Sequence, residues 1–327
     1  MSTMDAYDFT QLTAVYDKTQ FTLTITSDAG NIDQLSLRDI YFGNSAEDLN
    51  ICDKQATFYH TKDYKPVDLT KKNQAEVVLQ SDSAALKDLK LTFSLLETGV
   101  LSMNYTFNDL SKTTRKIFTV PEGIINPGRD KLLKDGDLSK YVTVDQEAKS
   151  SVIITVMNDA SVPVFQLTGF ALTEYFNLRV GQVYTLANSP GILGLGEQVT
   201  DDIYVKDGVY GFWSRDVGDP KSTSKLPTTN MYGTHPFFMG QGTDSNWFGV
   251  FTNLAAAQEW WVTNHKDTGI VDLTTAAAGG VMDMFFMFGK NPNEVVTKYH
   301  TGVVGKPVLT PSWILGWNQC RWGYTST

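Results

Sequence analysis

LKLTFSLLETGVLSMNYTF, residues 89–107, reads as two strands and a turn. Leu89, Leu91, Phe93 and Leu95 alternate with polar residues before Glu97-Thr98-Gly99, and Leu101, Met103, Tyr105 and Phe107 alternate after it. A period of two puts one apolar face on each strand, and the glycine-bearing loop joins them as a hairpin. FTLTITSDAG repeats the pattern with Phe21, Leu23 and Ile25. Shorter apolar runs at Val77–Leu79, Val152–Val156, Val162–Leu167, Val183–Leu186, Asn246–Thr252 and Val281–Phe288 read as further strands. Pro163 suits the start of a strand or an edge. Many short strands with little helical periodicity predict a mainly β protein built on a large antiparallel β-sandwich.

One segment departs from this pattern. In GKNPNEVVTKYHTG, Asn291 can cap a helix, Pro292 fits its first position, and Glu294 lies in the first turn. Val295, Val296 and Tyr299 are expected to form the apolar face, and Gly302 to end the helix. After GKPVLTP, WILGWNQC is a short apolar run between turn residues, which predicts a strand buried on both faces. The expected division is a sandwich over residues 1–290, then a connecting helix, a linker and one buried strand over 291–327.

The chain has 327 residues, 42% of them hydrophobic and 12% aromatic, enough for a sizeable core. Its 27 Lys and Arg residues are scattered against 36 Asp and Glu, a formal net charge of −9. That balance argues against nucleic acid or an anionic membrane surface as a partner. Cys52 and Cys320 make neither a disulfide framework nor a zinc site, and the four histidines show no metal-ligand spacing. No signal-peptide run or bilayer-spanning stretch occurs, and the compartment stays open. The sequon Asn104-Tyr105-Thr106 falls in a strand-like run and says little about glycosylation. No phosphate loop, nucleotide fingerprint or Ser/His/Asp arrangement appears.

Several segments carry a resemblance through their order and spacing: GLGEQ (194–198), SRDVGDP (214–220), NMYGTHPFFMG (230–240), WFGVFTN (247–253), MDMFFMFGKNPNEVVTKYHTGVVGKP (282–307) and PSWILGWNQCRWGYTST (311–327). From about residue 160 onward the chain resembles glycoside hydrolase family 31, the retaining α-glucosidases and their relatives. The resemblance implies a galactose-mutarotase-like sandwich leading into a (β/α)8 barrel, with residues 311–327 as the linker and the first barrel strand. It implies hydrolysis of terminal α-linked glucose from an oligosaccharide, with retention and without a cofactor. It also implies that the rest of the barrel, on the same or a separate chain, is a partner.

Retaining chemistry needs two carboxyl groups roughly 5–5.5 Å apart. The family's nucleophile motif, Trp-x-Asp-Met-Asn-Glu, does not occur here; Asp283-Met284 lacks its flanking residues, and Asp283 reads as a solvent-facing strand residue. No catalytic residue is therefore assigned, and the 327 residues alone are expected to be inactive. Two substrate-binding residues carry over. Asp216, in Ser214-Arg215-Asp216, matches a loop residue that contacts sugar; a carboxylate accepts hydrogen bonds from vicinal hydroxyls, whereas turn chemistry is the plainer role for an Asp in a Gly/Pro loop. Ser214 and Gly218 depart from the family pattern, which puts a second loop contact in doubt. Trp322 matches a pocket tryptophan whose indole suits a pyranose face; packing inside the barrel is the competing role. Arg321 is expected to pair with a barrel carboxylate, Trp213 to steady its loop, His235 to be structural, and Glu197 to tie the loop after GLGE.

Other readings stay open: a non-catalytic carbohydrate-binding or interaction module, a mutarotase-like epimerase, or an α-xylosidase or transglucosidase of the same family.

Overall fold

The computed structural model describes residues 13–17, 22–26, 32–36, 59–60, 68–81, 89–107, 131–147, 151–172, 177–200, 202–214, 230–277, 282–319 and 323. Three strands, β1 (Thr13–Asp17), β2 (Thr22–Thr26) and β3 (Ile32–Ser36), form a small antiparallel meander. Fifteen more build the two larger sheets. In chain order they are β4 (Tyr59–His60), β5 (Gln74–Ser81), β6 (Leu89–Leu95), β7 (Leu101–Phe107), β8 (Val142–Glu147), β9 (Ser151–Met157), β10 (Pro163–Leu172) and β11 (Asn177–Tyr184). Then follow β12 (Leu193–Gln198), β13 (Gly208–Phe212), β14 (Asn230–Gln241), β15 (Trp247–Asn253), β16 (Gln258–His265), β17 (Ile270–Ala277) and β18 (Met282–Gly289).

One sheet has seven strands in the order β13-β16-β17-β11-β10-β9-β8; the other has eight, β12-β14-β15-β18-β7-β6-β5-β4. The hairpin at 89–107 forms as its alternation predicts, pairing Leu91 with Tyr105 and Phe93 with Met103. Gly99 closes its turn at φ +74, a left-handed value that favours glycine, and donates its N–H to the Leu96 carbonyl at 2.9 Å. Pro163 is the first residue of β10.

Alternate residues of the two sheets meet in one core. Leu91, Phe93, Ile154, Phe165, Val183, Phe238, Trp260, Phe286 and Phe288 are all fully or almost fully buried in it. Rings bridge the layers: Phe165 lies 5.5 Å from Phe286, and Phe238 meets Trp260 edge-on at 6.2 Å.

A second cluster lies on the outer face of the eight-stranded sheet, beneath helix α1 (Pro292–Tyr299). Asn291 caps the helix as expected, accepting from the Glu294 N–H at 3.1 Å. The buried face differs from the sequence expectation. Val295 and Val303 are buried with Tyr299 packed beside them, whereas Val296 is exposed. Val295, Tyr299 and Val303 are spaced by four and so share one face of the helical stretch. Nor does Gly302 end the helical stretch. A π-helical turn carries it through His300–Val304, and Gly305 at φ +85 breaks it. Gly302 serves packing instead: a Cβ there would stand 2.6 Å from Thr98 Oγ1 and Val100 Cγ2.

Strand β18 shows why MDMFFMFG reads as a continuous apolar run. Met284, Phe286 and Phe288 enter the main core, and Phe285 and Met287 enter the cluster under α1. Asp283 is half-buried rather than solvent-facing, and accepts a hydrogen bond from the Asn104 side chain of the adjacent strand. That bond occupies the amide of the sequon at 104–106.

Among the described residues, 311–319 form no strand. Ser312–Leu315 form a 3-10 turn, closed by the Ile314 N–H to the Pro311 carbonyl at 3.0 Å. Trp313 is 76% and Trp317 89% exposed, and Val308, Leu309 and Leu315 are similarly open. No described strand lies alongside to take up its backbone groups, so local bonds satisfy some of them.

Candidate functional site

Strands β12, β13 and β14 converge where the segment 214–229 leaves and re-enters the sheets, and Asn230 holds the junction. The residue is 5% exposed. Its Oδ1 accepts from the Trp213 N–H at 2.7 Å, and its Nδ2 donates to the Glu197 carbonyl at 3.0 Å and the Gly233 carbonyl at 2.9 Å. A buried amide is tolerated only when bonded, and this one is bonded on both sides. The Glu197 carboxylate closes the loop by accepting from the Gly233 N–H at 2.8 Å, the tying role expected of it. Gln198 donates to the Gly211 carbonyl at 2.7 Å and joins β12 to β13. Both roots of the segment are therefore fixed by side chains, one at Trp213 and one at Asn230.

Asp216 lies just beyond Trp213, outside the described residues, as do Arg215, Gly218, Cys52, Cys320, Arg321 and Trp322. Trp213 is 44% exposed, with its backbone held and its ring open. Asn230 was not singled out from the sequence. Its only mark there is its place as the first residue of NMYGTHPFFMG; three backbone partners from distant segments leave no local pattern.

Farther along β14, His235 joins an aromatic group under α1. Its ring stacks on Phe237 at 5.3 Å, tilts against Phe251 and Tyr299, and its Nε2 meets the Tyr299 hydroxyl at 2.9 Å. His235 keeps an exposed edge, but partial desolvation of its ring lowers the imidazole from its ordinary pKa, and burial pushes the Tyr299 phenol up to about 12. Both groups are thus neutral near pH 7 and serve as a polar clamp between sheet and helix. Among the described residues, no group of three or more His, Cys, Asp or Glu is placed to hold a metal ion.

No family profile matches the chain. It is 33% identical over 141 residues to glucoamylase 1 of Candida albicans, covering 43% of this chain and 14% of that protein. Glucoamylase 1 of Schwanniomyces occidentalis is 27% identical over 242 residues, 72% of this chain and 23% of that protein. Lysosomal α-glucosidase of Mus musculus is 33% identical over 146 residues, covering 45% and 14%. The chain thus spans less than a quarter of the length of each of these relatives. Among solved structures, the heterodimeric complex of endoplasmic-reticulum glucosidase II matches with a TM-score of 0.57 at 16% identity, covering 81% of this chain and 37% of that chain. A dextranase of Flavobacterium johnsoniae, complexed with glucose, matches at 0.51 and 18% identity, covering 81% and 30%. At such identities the structural likeness speaks for the fold.

Proposed function

We propose that the chain belongs with the glycoside hydrolases of family 31 and forms the N-terminal portion of a retaining α-glucosidase acting on terminal α-linked glucose. The sequence match to glucoamylases and α-glucosidases carries this reading, and the sandwich agrees with it. Residues 1–290 are the sandwich, and 291–327 lead into a barrel that holds the two reacting carboxyl groups. One carboxylate attacks the anomeric carbon; the other protonates the leaving oxygen and then activates water. Within this chain, Asp216 receives the sugar hydroxyls on a segment whose roots are set by Asn230, and Trp322 offers a flat face to the pyranose. Beside neighbouring barrel strands, residues 311–327 exchange their local turn for strand pairing.

Two measurements test the reading. The 327-residue chain alone is expected to give no turnover of a chromogenic α-glucoside beyond the blank; turnover would mean that the carboxyl pair lies within it. In the complete protein, Asp216→Ala should lower kcat/KM by about 10- to 150-fold, the worth of a charge-assisted hydrogen bond of about 1.5–3 kcal/mol. An unchanged kcat/KM overturns the role of Asp216.

A further inference from the structure

The outer face of the seven-stranded sheet carries a feature that the glycosidase reading does not use. Ile154, Phe165, Val183 and Leu273 point into the core, so the residues alternating with them point outward. Cross-strand register lines up Thr155, Gln166, Gln182 and Asp272 on β9, β10, β11 and β17. Their side chains lie in one row of hydrogen-bond contacts, in which the single Tyr184 hydroxyl hydrogen is shared between Gln166 and Gln182. Gln166 Nε2 donates to Thr155 Oγ1 at 3.0 Å, and the Tyr184 hydroxyl lies 3.1 Å from Gln166 Oε1 and 3.3 Å from Gln182 Oε1. Gln182 Nε2 donates to Asp272 Oδ1 at 2.8 Å, and Asp272 Oδ2 meets His265 Nε2 of β16 at 2.6 Å. The row crosses five strands, four steps of about 4.8 Å and so about 19 Å in all.

We propose that this row is a binding site for an uncharged oligosaccharide laid across the strands from Thr155 to His265. Three observations carry the inference. First, the row is made of amides, hydroxyls and one carboxylate–imidazole pair, Asp272 with His265, so its one acidic group already has a partner and the row favours a neutral polyol over an ion. Second, the row is accessible where it matters: the side chains of His265 and Asp272 are 43% and 40% exposed, and Gln166 and Tyr184 are half-buried. Third, the side chains are already bonded to one another, so a ligand that accepts from Gln166 Nε2 or donates to Asp272 meets groups that are partly ordered beforehand. Gln166 uses one of its two N–H groups on Thr155, and Asp272 has more acceptor sites than its two partners fill. Tyr184 adds a planar ring whose edge is fixed through its hydroxyl.

The inference stands independently of the glycosidase reading. Maltotetraose titrated into the purified 327-residue chain, followed by calorimetry and by amide chemical shifts, is the test. The expected result is saturable binding with shifts centred on β10, β11 and β17. Gln166→Ala and Asp272→Asn should each weaken binding at least about fivefold with the far-ultraviolet circular dichroism unchanged, and Lys90→Ala, on β6 of the other sheet, should leave it as in the parent chain. Asp272→Asn keeps the shape of the side chain and serves should Gln166→Ala fail to fold. No saturable binding at millimolar sugar, or binding kept at full strength in both sheet variants, overturns the proposal.

Discussion

At the scale of single residues, Asn230 is where a small change should be felt most. Asn230→Ala leaves the Trp213 N–H and two carbonyls without their partner in a buried setting. The expected loss is about 1–3 kcal/mol in urea denaturation, the cost of an orphaned buried polar group. His235 gives a second prediction, through pH. Partial desolvation depresses its pKa in the folded protein, so the unfolded chain takes up a proton first, at about pH 6.5. Stability should therefore fall as pH drops below that value and level off once the folded imidazole also protonates. Melting curves between pH 7.5 and 5 should show this fall, and His235→Phe should flatten it. Of these two residues only His235 drew notice in the sequence, as a structural group. The Asn230 contacts join segments that no local window spans, which is why periodicity missed them.

At the scale of elements, α1 is docked by few contacts of high quality. Val295 is fully buried, and a Cβ built on Gly249 would stand 2.6 Å from its Cγ1, so helix and β15 meet with no room between them. Val295→Ala should cost about 2–3 kcal/mol, the range for removing buried methyl groups, whereas Val296→Ala should stay within about 0.5 kcal/mol. Equal effects for the two valines in chemical denaturation would mean that the helix turns another face to the sheet. The helix and its cap were legible because Asn291, Pro292 and Glu294 act locally. Its packing face was not, because two adjacent valines give a spacing rule nothing to choose between. Strands β6 and β7 were legible from alternation and β9 and β10 from short apolar runs, but β12 and β14 were read as motifs rather than strands. Their glycines and prolines (Gly194, Gly196, Gly233, Pro236) interrupt the apolar rhythm, and tertiary pairing overrides local propensity there.

For the whole molecule, the open run from Val308 to Trp317 sets behaviour in solution. Contiguous apolar surface of this kind favours association. Sedimentation velocity on the 327-residue chain should show concentration-dependent self-association, with tryptophan emission moving to shorter wavelength as concentration rises. Replacing Trp313, Leu315 and Trp317 together by serine should leave a monomer at all concentrations tested. The aromatic content of this run pointed to burial, and its exposure follows from the pairing a strand requires: apolar residues alone do not make a strand where no neighbour accepts its backbone bonds.

Because β18 lends one set of side chains to the interior and the alternate set to the helix side, the two apolar regions hang on a single backbone. Helix release thus cannot stay confined to the surface. Loosening Val295 withdraws support from Phe285 and Met287, whose peptide units also position Phe286 and Phe288. The amide protons of β18 should then be among the slowest to exchange with deuterated solvent, escaping only when the sandwich opens as one cooperative unit.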